Sequence, residues 1–508
     1  MVDTADSKSA ASDSVSVQVR PPVPVSRSTP CKNEATAALK ALQDSQSRST
    51  LKSPMKKSYK AFIPALLLAL PGTALATNGY FTHGLGVKNK AMAGAGTADP
   101  QEAMAITNNP ATAVLLGDST QFGLSVFSPR REYEASASLA NGNGGAFTLA
   151  PGTVESGSNF FPIPYAAKTW KWDDNSALGL SVYGRGGMNT DYSDGAATFD
   201  PDGPGPAPVM TLSGPYGMGD AGVDLNQLFA EAAYARRNGS FSWGISGIFT
   251  AQAFEARGVG AFAPYTRTFA QSGGTAMPRN LSNNGHDFAT GFGAKAGIHW
   301  QASERLMMGI SYQSRIYMSE FDDYSELFAA EGGFDVPPNV RLGISYKLND
   351  LATLHYDTDH TNYRDVDSVG NPIANLFSCP TAGMGGTDLG SCLGGDRGAG
   401  FGWNDVTVHK FGIAWKTAAA SPWTFRAGVS HGQNPVEATE VLFNILAPGV
   451  IERHFTFGSS YRMQNGKEFS MMLMYAPEAQ EKGRNTFDPT QTIELRMHQF
   501  ELEFGLSW

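Results

Sequence analysis

The sequence predicts an all-β protein: a 14-stranded antiparallel transmembrane β-barrel with an N-terminal hatch plugging its lumen. Three observations lead there. Apolar and polar residues alternate with period two through segments of up to about 16 residues, longer than the 5–6 of a typical soluble strand. The connections are sorted, short after even-numbered segments and long after odd-numbered ones, as in outer-membrane barrels. Composition is the third. Charged residues make up 17% of the 508, against about 25% in an ordinary soluble domain, and 57 residues are glycine.

The same composition excludes other classes. A net charge of −9 leaves no basic face for nucleic acid. Three cysteines are too few for a disulfide scaffold or a zinc cluster. No apolar run beyond the N-terminal region reaches the ~18 residues of a membrane-spanning helix.

Taken in order, residues 1–54 are rich in Ser, Thr, Ala, Pro and Lys without apolar periodicity. They read as a disordered or untranslated extension. Met55-Lys56-Lys57-Ser58-Tyr59-Lys60 then opens a basic stretch, residues 61–70 are mostly apolar, and Ala74-Leu75-Ala76 follows. Residues 55–76 thus have the three-part layout of a signal peptide. The 432 residues after Ala76 carry 28 Lys and Arg against 42 Asp and Glu, so the leader masks a more acidic exported chain. Residues 77–118 do not alternate. They are small and glycine-rich, too polar for lipid, and suit a plug whose backbone is satisfied inside a lumen.

Residues 119–508 form the barrel, with strands expected at 119–135, 160–172, 176–188, 225–237, 240–255, 286–301, 305–321, 338–348, 351–365, 403–417, 421–433, 451–463, 467–478 and 493–508. Tight turns such as Asn238-Gly239 and Asn349-Asp350 fall on one side. Long Gly/Pro-rich loops at 136–159, 189–224, 256–285, 322–337, 366–402, 434–450 and 479–492 fall on the other. The last segment alternates up to Trp508, but its phase changes: Ile493, Leu495 and Met497 are odd, Phe500 and Phe504 even. A bulge near His498-Gln499 would reconcile them.

Several motifs resemble the outer-membrane long-chain fatty acid transporter family (FadL-like, including aromatic hydrocarbon porters). Ala93-Gly94-Ala95-Gly96-Thr97-Ala98 and the triplet Asn109-Pro110-Ala111 resemble its N-terminal hatch and hatch motif. Pro338-Asn339-Val340-Arg341-Leu342-Gly343, Gly402-Trp403-Asn404-Asp405-Val406, Trp423-Thr424-Phe425-Arg426-Ala427-Gly428 and residues 444–461 continue the likeness, which spans 77–508. It implies a transporter rather than an enzyme, without cofactor, in the bacterial outer membrane. The cargo would be a long-chain fatty acid or another hydrophobic small molecule. It would be caught in an extracellular groove, passed to a lumen pocket, and released sideways on a change in the hatch. Aromatic or alkane hydrocarbons are the alternative cargo. A monomer surrounded by outer-membrane lipid and lipopolysaccharide is expected. The family's lateral opening lies at a kink in the third strand, which here places it at Gly184, Arg185, Gly186 and Gly187, where glycine weakens pairing.

Fatty acid recognition calls for an apolar slot and a cation, ideally Arg. Alternation points Lys295, Arg315, Arg341, Lys347, Arg426 and Arg462 inward. A polar lumen needs inward cations in any case, because charge facing lipid costs about 2–4 kcal/mol. Met472 and Met474 also face in and offer an adaptable apolar lining. The loops at 189–224 and 256–285 carry Met210, Leu212, Tyr216, Met218, Phe262, Tyr265, Phe269 and Met277 as a candidate capture groove. Cys379 and Cys392, the cysteines left after residue 76, are expected to pair in an oxidising compartment. Asp357 and Asp359 share a strand face that His360 does not, so no metal site is assigned.

Overall fold

The computed structural model describes residues 77–200, 206–380 and 386–508; the expectations for 1–54 and 55–76 lie outside the described residues. Fourteen long strands form a closed antiparallel barrel. They are β1 (Ser119–Ala135), β2 (Phe161–Lys171), β3 (Ser176–Asn189), β4 (Gly222–Asn238), β5 (Phe241–Arg257), β6 (Asp287–Gln301), β7 (Leu306–Gln313), β8 (Asn339–Asn349), β9 (Ala352–Thr361), β10 (Val406–Trp415), β11 (Trp423–Gly432), β12 (Arg453–Arg462), β13 (Glu468–Asn485) and β14 (Asp488–Ser507). Each pairs with its neighbours in sequence, and β14 pairs with β1 from Ile493↔Ala135 to Ser507↔Gln121 to close the ring. Closure leaves no open edge, which a strand in lipid cannot afford.

Outward positions carry the apolar belt. Phe122, Leu124, Phe292, Leu473 and Phe500 are all exposed. Aromatic pairs such as Trp423–Tyr461, 4.8 Å between ring centroids, mark the short-turn end.

Strand ends shift by a few residues, and three larger features differ from the sequence reading. Residues 479–492 are not a long loop: β13 and β14 continue as a hairpin to Asn485↔Asp488. This extension lies beyond the apolar belt and is held by charge pairs, Lys482 to Glu494 at 3.1 Å and Arg496 to Glu494 at 2.7 Å. A register shift does fall opposite His498, but the extra residue is on β13, between Ala476 and Ala479, while β14 pairs with β1 in unbroken register. Ile493, Leu495 and Met497 therefore share the inward face with Glu501 and Glu503, all of them buried. The seventh segment is interrupted after Gln313 and resumes as Tyr317–Met318.

Within the ring, short helices α1 (Val87–Lys90) and α2 (Ala113–Leu116) and two 3₁₀ turns build the N-terminal segment. Nearly all of residues 78–113 is buried. The larger loops fold over the opposite end around Phe254, Phe262, Phe328, Phe401 and Trp403.

Candidate functional site

The N-terminal segment is seated against bare backbone and tied by charge. At Gly244, Gly297, Gly343, Gly428 and Gly505 a Cβ would fall within 3 Å of it, so these lumen positions admit only glycine without a shift. Asn109 caps the turn Pro110–Thr112, accepting from the Ala111 N–H at 3.1 Å, and donates to the Ile298 carbonyl at 2.9 Å. The triplet Asn109-Pro110-Ala111 thus sits in the notch made by Gly244 and Gly297.

Buried charges complete the attachment. Lys88 pairs with Glu468 at 2.6 Å, and Lys90 with Glu501 and, at 2.8 Å, with Glu503. Asp357 accepts from the Gly96 and Thr97 N–H groups at 3.1 and 2.9 Å. Removing one member of such a pair strands the other and costs about 3–5 kcal/mol.

Most of the cations expected for ligand are engaged here. Lys295 holds Glu231 at 2.9 Å and donates to the Thr107 carbonyl at 2.7 Å. Arg341 pairs with Asp359 at 2.8 Å and reaches Asn108. Arg426 donates to Gln101 and Ser460, both at 2.7 Å. Arg315 lies in the break after β7 and pairs with Asp335 at 2.7 Å. Two placements correct the sequence reading: Lys347 is exposed beside the β8–β9 turn, and the Arg462 side chain is 70% exposed where it meets Glu468. Alternation assigned them a face but not a depth. Met472 and Met474 are buried inward on β13, against which α1 packs.

A second feature is a gap in the wall. β2 and β3 pair from Lys171↔Ala177 to Tyr165↔Tyr183 and no further. Beyond that point β2 offers Pro162 and Pro164, which have no N–H to donate. Gly184, Arg185, Gly186 and Gly187 leave β2, and the β3–β4 register shifts opposite Asn226–Leu228. The N-terminal segment fills the gap: Phe81 pairs with Gly186, and the Gly187 N–H donates to the Tyr80 carbonyl at 3.1 Å. A Cβ on Gly186 would lie 1.9 Å from Gln227 Oε1. Arg185 is buried, 4.4 Å over the Phe81 ring, and donates to Gln313 at 2.5 Å.

Three cavities adjoin one another above the segment. The first lies among the loops and is lined by Phe254, Phe262, Phe328, Phe401, Phe443 and Leu446, with Ser368 its one polar side chain among the described residues. The second shares Leu446 and is bounded by Tyr80, Met188, Trp403, Met497 and Arg131. The third shares Arg131 and Met497 and opens outward between Arg130, Glu155, Glu478 and His498. Of the loop residues named from sequence, Phe262 lines the first cavity and Tyr216 is buried beside it, 5.3 Å from Phe262 ring to ring. Met210, Met218 and Met277 are exposed instead.

Cys379 and Cys392 are joined by a disulfide. It fixes Leu393, whose N–H donates to the Tyr265 carbonyl at 2.9 Å. Nearby, the Arg397 bond to Asp388 at 2.6 Å holds that carboxyl down at about 2. Burial pushes the Glu440 carboxyl above its ordinary value, although it accepts from the Ile373 N–H at 2.9 Å. Sequence reasoning missed Tyr80, Trp403 and Arg131 as cavity walls. The signal for Arg131 was weak: the run Pro129-Arg130-Arg131-Glu132 breaks the alternation.

Comparison with known proteins places this geometry. The model of the family described as outer membrane protein transport protein (OMPP1/FadL/TodX) matches residues 70–491. Among solved structures, the chain is similar to the Pseudomonas putida toluene transporter TodX, at 17% identity and a TM-score of 0.56. It is similar to a Pseudomonas aeruginosa FadL homologue, at 18% and 0.56, and to the Ralstonia pickettii toluene transporter TbuX, at 16% and 0.52. Each alignment covers 84% of this chain and 98% of the other. At these identities the likeness carries the fold. No curated protein sequence matches the chain.

Proposed function

The chain belongs to the OMPP1/FadL/TodX family of outer-membrane transport proteins, which move hydrophobic molecules, and on that premise we propose that this barrel takes up long-chain fatty acids. The ligand enters the apolar cavity among the loops, descends to the narrow cavity beside Tyr80, and leaves through the wall between β2 and β3. Residues 77–118 serve as the hatch, and residues 55–76 as the export signal.

The observation that carries this reading is the gap after Tyr165↔Tyr183. The straight path through the lumen is blocked by a segment held with buried charges. The gap beside β3 is closed by Tyr80 and Phe81, through the Phe81–Gly186 pairing, the Tyr80–Gly187 hydrogen bond and packing on Tyr363, Trp403 and Arg185. Moving these two residues disturbs aromatic packing but leaves the buried ion pairs of Lys88 and Lys90 intact. An apolar cavity adjoining one with a buried guanidinium suits an acid with a long tail.

Aromatic hydrocarbons are the second reading. The five phenylalanine rings of the loop cavity, with a single serine among them, favour a neutral cargo.

Uptake of radiolabelled oleate and toluene by a host lacking its own transporter separates the two. A crosslink tests the route. A Cβ at Gly184 would lie 3.2 Å from Ile163 Cγ2, so the Ile163→Cys/Gly184→Cys variant can be bonded across the gap. Oxidation should abolish uptake and reduction restore it. Unchanged uptake by the oxidised protein would sink the lateral route.

A further inference from the structure

We propose that Arg131 is the docking residue for the carboxylate of the incoming amphiphile, with the tail in the loop cavity; this rests on the fatty acid reading above. Three observations converge on it.

Arg131 is 6% exposed and has no carboxylate within salt-bridge distance among the described residues. Lys88, Lys90, Lys295, Arg341 and Lys410 are paired with acids, Arg426 is bonded to Gln101 and Ser460, and Arg185 to Gln313. Arg131 donates from one guanidinium nitrogen to the Ser158 carbonyl and lies 5.8 Å over the Phe161 ring. Its Nε has no hydrogen-bond partner. A buried guanidinium in this condition is costly unless an anion completes it.

Position supports the same role. Arg131 lines both the narrow cavity and the outward polar one. Among the described residues it is the one charged side chain lining the narrow cavity, where Asn189 and Thr190 are the other non-aromatic polar side chains. Leu446 is the wall shared by that cavity and the phenylalanine-lined one. An extended amphiphile with its head at Arg131 and its chain among the phenylalanines would displace Leu446 and widen both.

A donor besides Arg131 is at hand. Tyr192, two residues beyond the cavity-lining Thr190, is fully buried and its hydroxyl has no partner. The competing cation, Arg185, is covered by Phe81 and bonded to Gln313, and it lines none of these cavities.

The outward cavity mixes Glu132, Glu155 and Glu478 with Arg130 and Arg496, so its charge is balanced around Arg131. Exit remains at the gap between β2 and β3.

The test compares a fatty acid with its neutral counterpart. Binding of oleate and of oleyl alcohol is measured by displacement of a fluorescent fatty acid from purified wild-type, Arg131→Gln, Arg131→Lys and Tyr192→Phe barrels. Heat-modifiable gel mobility confirms that each is folded. Arg131→Gln should weaken oleate by about tenfold to a hundredfold, the usual range for a lost hydrogen bond to a charged group, and leave oleyl alcohol within about twofold. Arg131→Lys should recover part of the loss, and Tyr192→Phe should lose less than Arg131→Gln. Equal loss for acid and alcohol, or no loss of acid binding in the folded Gln variant, overturns the proposal while the fatty acid reading stands. A wild-type barrel that binds the alcohol but not the acid overturns both. If Arg131→Gln does not fold, Arg131→Lys and Tyr192→Phe decide on the same ratio.

Discussion

The two ends of the barrel are built to opposite rules. In the half nearer the short turns, the outer face is apolar and the lumen is ionic. On β14, Phe500 and Phe504 face out, while Glu501 and Glu503 face in and meet Lys90. In the half capped by the loops, the same strand turns its apolar residues inward. Ile493, Leu495 and Met497 are buried, and Arg496 meets Glu132, Glu134 and Glu494 outside. The strand does not change phase; its solvent does. Lipid surrounds the first half and water the second, so the alternation inverts while the backbone runs straight. The halves also differ in what fills them. One holds a segment locked by buried ion pairs, and the other holds loops packed through aromatic rings around cavities. The ionic half blocks the lumen, and the aromatic half encloses the cavities.

The largest effect should come from breaking the ionic half. Lys90→Met leaves Glu501 and Glu503 buried without a cation, and should cost about 3–5 kcal/mol. Urea unfolding would read the loss, and limited proteolysis would show earlier cleavage within residues 77–116. Adding Glu501→Gln and Glu503→Gln should recover much of it. The lipid-facing rule is tested next by Leu473→Arg, on the outer face of β13 within the apolar belt. It should destabilise the folded barrel in lipid vesicles by about 2–4 kcal/mol, whereas an outward charge on the β13 extension should cost no more than about 1. Equal costs at both heights would break the comparison.

In the loop half, Cys379→Ser should release a loop whose closure is worth about 3 kcal/mol in the entropic account. Protease cutting in 366–402 should increase while the 77–116 fragment stays protected. The smallest effect concerns His286, just before β6. Its hydrogen bond to Asp224 at 3.0 Å raises its pKa above the ordinary 6.5. A raised pKa means the contribution is complete below about 6.5 and fades as pH rises through the folded value. Hydrogen exchange at residues 284–287 should therefore quicken on the alkaline side beyond its intrinsic pH dependence. The change should be small, because the side chain is 29% exposed. His286→Gln should abolish it.

Legibility followed the same division. The membrane belt was readable residue by residue, because lipid enforces the period-two rule. Turns such as Asn238-Gly239 gave away strand ends. Above the belt the rule inverts, so residues 479–492 read as loop and Ile493, Leu495 and Met497 read as a phase error. The candidate cations were legible as inward residues but not as occupied ones. Nothing in the sequence near Lys295 reveals Glu231, 64 positions away, or tells that Arg131 lacks such a partner.

The sequence alone determined the strand number, the sorting of connections, the lipid-facing side chains and a glycine-rich segment suited to the lumen. Each follows from local physics: the period of a strand, the cost of charge in lipid, the space a glycine leaves. Tertiary structure alone decided which charges are neutralised, where β2 and β3 part, and which cavities adjoin. Those outcomes depend on residues brought together across the ring and on which of two solvents a given height of the wall meets.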